Sequence, residues 1–237
     1  MAGIFDVKEN VALKDKNTFH VAATTRWYGE FSSADDLKAF YDDPRFRALP
    51  KFILGGGSNL LITQDFDGLM LKSVDTSVSV VDENDAYTFV KIGAGADWTA
   101  TVASLVDKGF NGIENLMSVP GTVGGAAVQN IGAYGLEIAE RISAAHEFDD
   151  SRPAGDVCVL SADDCDYGYR TSIFKTEKTD WVVLSVTLAL PKGFEPRVAY
   201  KELAAVFGDK VPASAKKVAS AVKAVRAKKL PDPAKIG

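Results

Sequence analysis

The sequence predicts an α+β protein built from two mixed units within a chain of 237 residues. Hydrophobic residues make up 46% of the chain, which is enough for a packed core. A helix signal and apolar strand-like runs alternate within the first seventy residues, whereas short β-branched runs dominate after them. We therefore predict an N-terminal unit at residues 1–74, a second unit at 75–205 and the start of a third unit at 206–237.

The first unit is predicted to contain one short helix and two strands. Residues 1–16 are polar and mixed, so we expect a loose lead-in there. Ser33 and Asp36 have the spacing of a helix N-cap, and the apolar residues that follow them lie on one helical face. Strands are expected at residues 52–54 and 68–71, with a glycine-rich turn directly after the first of them.

The second unit is predicted to be rich in strands. Asp97 is expected to cap a helix that buries Trp98 and ends at Gly109. The β-branched and aromatic runs that predict strands lie at residues 78–81, 87–92, 144–148, 157–160 and 181–190.

The C-terminal segment is predicted to form a helix, because Val218, Ala221, Val222 and Val225 recur at helical spacing. Pro231 breaks this helix, and the chain ends soon after it. We expect the segment to be the beginning of a truncated C-terminal domain. Its apolar stripe is then expected to have little to pack on.

The charge distribution is uneven. The net charge of −5 argues against a general nucleic-acid binder. Residues 197–237 nevertheless carry ten Lys and Arg against three Asp and Glu, so this segment has a charge of +7 and the remainder −12. A basic segment of this kind either meets an anionic ligand or forms a solvated helix face, and charge alone leaves both open.

Several classes of protein are excluded by composition. The two cysteines lack the spacing of a zinc site or a disulfide scaffold, so no metal is expected. Two histidines offer no arguable Ser–His–Asp set, which disfavours hydrolytic chemistry. The sequence has neither a signal peptide nor eighteen consecutive apolar residues, which predicts a cytoplasmic protein outside the membrane. The oligomeric state is left open.

The GGGSN loop, which we define as residues 55–59, is the first candidate ligand site. It follows a predicted strand, and glycines allow backbone N–H groups to approach a phosphate closely. The loop is neither a Rossmann fingerprint nor a P-loop, because no helix signal or GK[ST] follows it. A plain turn between strands remains an alternative. The predicted diphosphate contacts are Gly55, Gly56, Gly57, Ser58 and Asn59.

The glycine run, which we define as residues 118–135, is the second candidate. Its small, uncharged residues suggest a second loop of N–H donors, although a tight turn buried in the core is the alternative. The amides of Gln129 and Asn130 need partners if they are buried, and the edge of a bound ring would provide them. The predicted cofactor contacts are Pro120, Gly121, Thr122, Gly124, Gly125, Asn130, Gly132, Ala133 and Tyr134.

Arg170 is the third candidate, because it lies between Tyr169 and the apolar residues of the segment YRTSIFK. A guanidinium in such a setting is suited to hold a carboxylate. An ordinary salt bridge is the alternative.

These segments resemble, in order and spacing, the UDP-N-acetylenolpyruvoylglucosamine reductase family. The similarity covers nearly the whole chain and is most specific in the glycine run. The matching segments are NTF at residues 17–19, LGGGSNLL at 54–61, GIENLMSVPGTVGGAAVQNIGAYGLE at 112–137, YRTSIFK at 169–175 and KLPDP at 229–233.

The resemblance implies a fold of the vanillyl-alcohol-oxidase-like (PCMH) type, with non-covalent FAD held between two α+β subdomains. It implies that NADPH reduces the flavin, which then reduces the enolpyruvyl ether of a UDP-sugar to UDP-N-acetylmuramate for peptidoglycan synthesis. Arg170 matches the catalytic arginine of the family. Tyr169, Tyr200 and Lys229 are predicted to contact the substrate.

One departure from the family pattern is expected to affect activity. The family's proton-donating serine and its catalytic glutamate lie beyond the position that corresponds to Gly237. We therefore expect hydride transfer from NADPH to flavin but little product from this chain alone. The alternatives are an FAD-binding module without turnover and, less consistent with Tyr200 and Lys229, an oxidase of the same fold acting on a small alcohol.

Overall fold

The first unit contains a four-stranded mixed sheet. In the computed structural model, which describes residues 6–150 and 157–230, the strand order is β1-β2-β4-β3. Strand β1 is antiparallel to β2, whereas β2 and β3 are both parallel to β4. The elements of this unit are β1 (Val7–Ala12), β2 (Thr24–Phe31), α1 (Ala34–Asp42), β3 (Lys51–Ile53) and β4 (Phe66–Ser73).

The helix and both predicted strands of the first unit are confirmed. The Ser33 hydroxyl accepts from the Asp36 N–H and the Asp36 carboxylate accepts in return, which forms a complete capping box at the start of α1. The expected loose lead-in is wrong for residues 7–12, because this polar stretch is the edge strand β1. Its partner β2 was not predicted at all.

The second unit contains a five-stranded antiparallel sheet in the order β10-β9-β11-β6-β5. The short strands β7 and β8 pair separately as a hairpin. In chain order the elements are β5 (Val78–Glu83), β6 (Tyr87–Gly93), α2 (Trp98–Asp107), α3 (Val123–Gln129), β7 (Gly132–Ala133), β8 (Leu136–Glu137), β9 (Ile142–Phe148), β10 (Val157–Ser161), α4 (Ile173–Thr176), β11 (Val182–Pro191), α5 (Lys201–Phe207) and α6 (Ala215–Lys229).

The large core of the second unit lies around α2, α3 and the sheet. Trp98 is fully buried there, and its indole N–H donates to the Leu116 carbonyl at 3.0 Å. The Asp97 carboxylate accepts from the Ala100 N–H at 2.7 Å, which confirms the predicted cap. The five predicted strands are all present, each within a few residues of its expected ends.

The C-terminal helix packs on the second unit. Val218 and Val222 are fully buried in the same hydrophobic cluster as Trp98, and α6 contacts the 3₁₀ turn at Glu114–Leu116. The predicted helix is therefore confirmed, but the expectation that its apolar stripe would have little to pack on is wrong. The predicted domain boundary after residue 205 stays a prediction, while Pro231 lies outside the described residues.

The two units share a second, smaller core. Phe148 and Val182 from the five-stranded sheet are buried in one cluster with Phe31 and Leu37 of the first unit. This contact places the carboxyl ends of β3 and β4 beside the glycine run, where a cavity lies. Within the described ranges, no helix is long and apolar enough to cross a bilayer.

Candidate cofactor-binding site

The GGGSN loop is seated on the turn that follows β1. Gly57 has a φ of +66°, and a Cβ on it would collide with the Lys16 carbonyl oxygen. The Thr18 N–H donates to the Gly57 carbonyl at 3.2 Å. Buried Asn17 supports this turn, since its amide donates to the Leu13 carbonyl at 2.7 Å and its oxygen accepts from the Val21 N–H at 3.1 Å. Contacts with the turn after β1 therefore fix the position of the GGGSN loop.

The GGGSN loop and the glycine run touch each other. A Cβ on Gly56 would lie 2.8 Å from the Gly121 Cα, so the two backbones meet where a side chain on residue 56 would not fit, and Gly121 has a φ of +123° that favours glycine. The Ser58 hydroxyl donates to the Pro120 carbonyl at 3.4 Å, and the Asn59 amide donates to the Gln129 side-chain oxygen at 3.1 Å. Two segments far apart in sequence thus form one continuous wall.

The two glycine segments differ in the backbone donors that they offer. Within residues 6–150 and 157–230, none of the N–H groups of residues 55–59 donates to a protein acceptor. In the glycine run, by contrast, the Val123 N–H donates to the Ala96 carbonyl at 2.9 Å and the Gly124 N–H to the Ala94 carbonyl at 3.0 Å. The expected second loop of free donors is wrong for these residues, because they begin helix α3.

A cavity of about 1320 Å³ lies between the two segments. It extends from the glycine run to Tyr41 and Trp181. Its wall includes most of the predicted site residues, namely Gly55, Gly56, Gly57, Ser58, Asn59, Pro120, Gly121, Thr122, Gly124, Gly125, Gly132 and Arg170.

Arg170 is a fixed cation on this wall. Its guanidinium donates to the Asn130 carbonyl at 3.3 Å and to the Gly132 carbonyl at 2.5 Å. Arg170 itself has a φ of +57°, in the left-handed region that non-glycine residues rarely adopt. No carboxylate pairs with it in the described part of the chain, so the alternative of an ordinary salt bridge has no support.

A family model described as "FAD binding domain" matches residues 28–146, which is half of the chain. The matched residues contain the GGGSN loop and the whole glycine run. The chain belongs to the FAD-binding domain family.

Two curated relatives of this FAD-binding chain share one name. It is 43% identical over 228 residues to a curated UDP-N-acetylenolpyruvoylglucosamine reductase of Ralstonia nicotianae, with 93% of this chain and 66% of the relative covered. It is 39% identical over 231 residues to that of Burkholderia pseudomallei, with 95% and 66% covered. The chain thus spans slightly less than two thirds of the length of these relatives.

Solved structures show the same fold. The UDP-N-acetylenolpyruvylglucosamine reductase of Thermus caldophilus superimposes with a TM-score of 0.71 at 23% identity, over 97% of this chain and 72% of that chain. A glucooligosaccharide oxidase from Acremonium strictum superimposes with a TM-score of 0.54 at 17% identity, over 81% and 41%. The predicted fold class, a flavin-binding fold shared with vanillyl-alcohol-oxidase-like proteins, is confirmed.

Asn130 has a structural role in the FAD-binding domain, because its side chain forms hydrogen bonds within the protein. It is fully buried with a φ of +43°, and its amide donates to the Glu137 carboxylate and the Gly168 carbonyl, both at 2.9 Å. Its side-chain oxygen accepts from the Ala139 N–H at 3.2 Å. The expectation that a bound ring would satisfy this amide is therefore wrong. Asn130 contributes to the site through its backbone carbonyl, which accepts a hydrogen bond from the Arg170 guanidinium.

The remaining predicted residues do not line the cavity. Tyr134 and Tyr200 pack edge to face with ring centroids 5.3 Å apart, and Lys229 forms an ion pair with Glu202. The hydrogen bond with Glu202 raises the pKa of the exposed Lys229 ammonium. Tyr169 is 83% exposed, and Ala133 belongs to the β7–β8 hairpin. The structure brings Tyr134, Tyr200 and Lys229 together as a separate cluster.

Two further residues of the wall were missed by sequence reasoning. Ser73, at the end of β4, is buried, and its hydroxyl has no protein partner among the described residues. Nothing in the sequence distinguishes this serine. Arg226 reaches the cavity from α6, and its Nε donates to the Ser118 carbonyl at 2.9 Å. The sequence did contain a pattern that could have identified Arg226, because this residue continues the four-residue spacing of Val218 and Val222 along the buried face of the helix.

Proposed function

We propose that this chain binds FAD non-covalently in the cavity and forms the FAD-binding part of a UDP-N-acetylenolpyruvoylglucosamine reductase. The reaction would use NADPH to reduce the enolpyruvyl ether of the UDP-sugar to UDP-N-acetylmuramate. The names of the curated relatives support this assignment. The observation that carries it is Arg170, a cavity-lining guanidinium tied to two backbone carbonyls and left without a carboxylate partner in the described residues.

The cavity fits an extended dinucleotide. The GGGSN loop presents backbone donors that no described residue satisfies, as an anionic diphosphate requires. The Ser73 hydroxyl is a buried polar group without a partner, which a ligand atom would supply. The absence of a side chain at Gly56 lets the two segments that form the wall approach each other closely.

When bound, FAD supplies the two-electron transfer that protein side chains cannot perform. We infer that the N–H groups of residues 55–59 and the Ser58 hydroxyl hold the diphosphate. The wall around Gly121 and Thr122 excludes water from the flavin. Neither His20 nor His146 lines the cavity, and both cysteines lie outside it as well, which supports non-covalent binding.

Arg170 would hold the carboxylate of the enolpyruvyl group. Negative charge develops on that carboxylate as the double bond is reduced, so a fixed cation beside it is favoured more in the transition state than in the ground state. Its two carbonyl contacts prevent the guanidinium from turning away from the cavity. Because the guanidinium is already fixed in place, it needs little reorganisation when the substrate reacts.

The UDP-sugar would meet the separate cluster of Tyr134, Tyr200 and Lys229. Tyr200 and Lys229 carry the contacts that we propose for the diphosphate side of the substrate, with Tyr169 exposed beside Arg170. For Lys229 this requires the ion pair with Glu202 to open or to be shared. The location that we propose is the cytoplasm.

The test has three stages. Purified protein is titrated with FAD, then NADPH is added without oxygen and flavin absorbance is followed, and then the enolpyruvyl UDP-sugar is added and UDP-N-acetylmuramate is measured. We expect visible flavin absorbance after the first stage and its loss after the second. Protein that takes up no FAD would overturn the proposal. Little product is expected from this chain alone, and product that stays absent when a segment carrying the family's serine and glutamate is supplied would favour the FAD-binding module without turnover.

A further inference from the structure

Glu137 is an acidic neighbour of Arg170 that does not pair with it. A Cβ on Gly132 would lie 3.0 Å from Arg170 Nη1 and 3.0 Å from Glu137 Cγ, so the two side chains meet at the same glycine. A guanidinium and a carboxylate on neighbouring side chains are able to form a strong, charge-assisted pair. No ion pair nevertheless joins them in the described ranges. The separation of these two opposite charges has a visible structural cause.

The side chain of Asn130 holds the Glu137 carboxylate. Its Nδ2 donates to Glu137 Oε2 at 2.9 Å. The Glu137 side chain also accepts from the Glu140 backbone N–H, as part of a capping box. Two donors other than Arg170 therefore fix the position of this carboxylate.

Asn130 also holds the turn that carries Arg170. Residues 168–171 form a tight turn, in which the Thr171 N–H donates to the Gly168 carbonyl at 3.2 Å. The Asn130 Nδ2 donates to the same Gly168 carbonyl at 2.9 Å, and the Asn130 carbonyl accepts from Arg170 Nη1 at 3.3 Å. One buried residue thus contacts the backbone turn of Arg170, its guanidinium and its acidic neighbour Glu137.

We propose that Asn130 is a positioning residue that keeps Glu137 from neutralising Arg170. This inference rests on the proposed function, in which Arg170 holds the carboxylate of the enolpyruvyl group. A guanidinium that is paired with a protein carboxylate offers fewer donors and less net charge to the carboxylate of a ligand. Because its amide occupies Glu137, Asn130 leaves the charge of Arg170 available on the cavity wall.

The test compares Asn130→Gly, Glu137→Gln and the double variant with wild-type protein. Glycine removes the amide but retains the left-handed backbone, in which Asn130 has a φ of +43°. Asn111→Ala is the matched control, because it removes an amide that donates to the Pro191 and Lys192 carbonyls away from the cavity.

Each protein is loaded with FAD and titrated calorimetrically with two nucleotides. One is the enolpyruvyl UDP-sugar, and the other is UDP-N-acetylglucosamine, which lacks the carboxylate. Thermal unfolding establishes that each variant is folded. Asn130→Asp is a second single variant, since it keeps the shape of the side chain but cannot donate to Glu137.

We expect Asn130→Gly and Asn130→Asp to bind the enolpyruvyl UDP-sugar about tenfold more weakly than wild type, with the affinity for UDP-N-acetylglucosamine unchanged. Adding Glu137→Gln should recover most of the loss, because the acid that competes for Arg170 is gone. Glu137→Gln alone and Asn111→Ala should bind both nucleotides as wild type does.

A purely structural role of Asn130 would leave the double variant as weak as the single one, and this result would overturn the inference. Unchanged binding of the enolpyruvyl UDP-sugar by either folded single variant would overturn it as well. Wild-type protein that binds both nucleotides equally would instead contradict the role of Arg170 in the proposed function, and with it the basis of this inference.

Discussion

At the scale of single residues, the site depends on where side chains are absent. Gly56 and Gly121 bring two backbones together, and Gly132 leaves room for the Arg170 guanidinium, since a Cβ there would lie 3.0 Å from Nη1. These contacts explain why glycine is needed at particular positions of the site. Substitutions that add one methyl group should therefore be informative.

Gly56→Ala should lower FAD affinity at least tenfold and destabilise the protein by about 1–3 kcal/mol. The added Cβ would meet the Gly121 Cα at 2.8 Å, and backbone cannot move aside as a flexible side chain would. FAD titration and urea unfolding measure the two effects. Gly193→Ala is the matched control, because no atom lies within 4 Å of its added Cβ. Equal behaviour of the two variants would contradict the close approach.

In a protein extended to include the family's proton-donating serine and catalytic glutamate, Arg170→Ala should slow substrate reduction by an amount equivalent to about 3 kcal/mol in the barrier, as does loss of one preorganised charge contact in other enzymes. Reduction of bound FAD by NADPH should change much less. Arg170→Lys should rescue poorly, because an ammonium cannot reproduce the two-pronged contact with Asn130 and Gly132. Stopped-flow measurement of the two half-reactions separates these effects, and an unchanged rate of substrate reduction would remove Arg170 from the mechanism.

At the scale of secondary-structure elements, helix caps and buried faces position the walls. The N-cap of α1 is formed by Ser33 and Asp36, and α6 is anchored by its buried valines. Both elements were predicted from residue spacing. Their contribution to stability can be measured separately.

Asp36→Asn should destabilise the protein more at neutral pH than at low pH. Burial raises the pKa of the Asp36 carboxyl, but hydrogen bonds from Ser32 and Ser33 outweigh it and leave the pKa below its ordinary value. The unfolded chain then binds the proton first as pH falls, so the stabilisation is present above the unfolded pKa of about 3.9 and is lost below it. Unfolding in urea across this pH range measures the difference. Asp35→Asn, which lies on the same first turn but is not part of the capping box, is the control for loss of a carboxylate.

Val222→Ala should cost about 2 kcal/mol of unfolding free energy, because the side chain is fully buried between α6 and the second unit. The exposed Val211→Ala should change it by less than about 0.5 kcal/mol. Denaturant unfolding monitored by circular dichroism compares them. If the two variants were equally stable, α6 would not be docked as the structure shows.

At the scale of the whole molecule, the cavity lies where the two units meet. Phe148 and Val182 enter the core of the first unit, while the GGGSN loop of the first unit touches the glycine run of the second. A ligand that spans this junction contacts both units at once. Its binding should therefore stabilise the protein as a whole.

Addition of FAD at 100 times its dissociation constant should raise the unfolding free energy by about 2.7 kcal/mol, provided that the unfolded chain does not bind it. The increase should appear as one cooperative transition, because the ligand bridges both units. Differential scanning calorimetry at several FAD concentrations measures it. Riboflavin, which lacks the diphosphate, should give little stabilisation at the same concentration, and an equal effect would contradict the role of the GGGSN loop.

Much of the site was predictable from local patterns, and the exceptions have physical causes. The GGGSN loop and Arg170 were identified because glycine clusters and an arginine among aromatic residues are unusual in a chain of this composition. Strand β1 was missed because an edge strand with a mostly exposed surface carries little apolar alternation. Helix α3 was missed because its two glycines disfavour a helix, and because its small glycine and alanine side chains hide the apolar periodicity that indicates one.

The sequence by itself determined the α+β class, the main helices and strands of the second unit, and the two glycine segments. It could do so because caps, periodicity and glycine content act over a few residues. The tertiary structure decided which backbone donors remain free, which amides are satisfied within the protein and which distant cations reach the cavity. These outcomes depend on contacts between Gly56 and Gly121, Asn130 and Gly168, and Arg226 and Ser118, pairs that folding alone brings together.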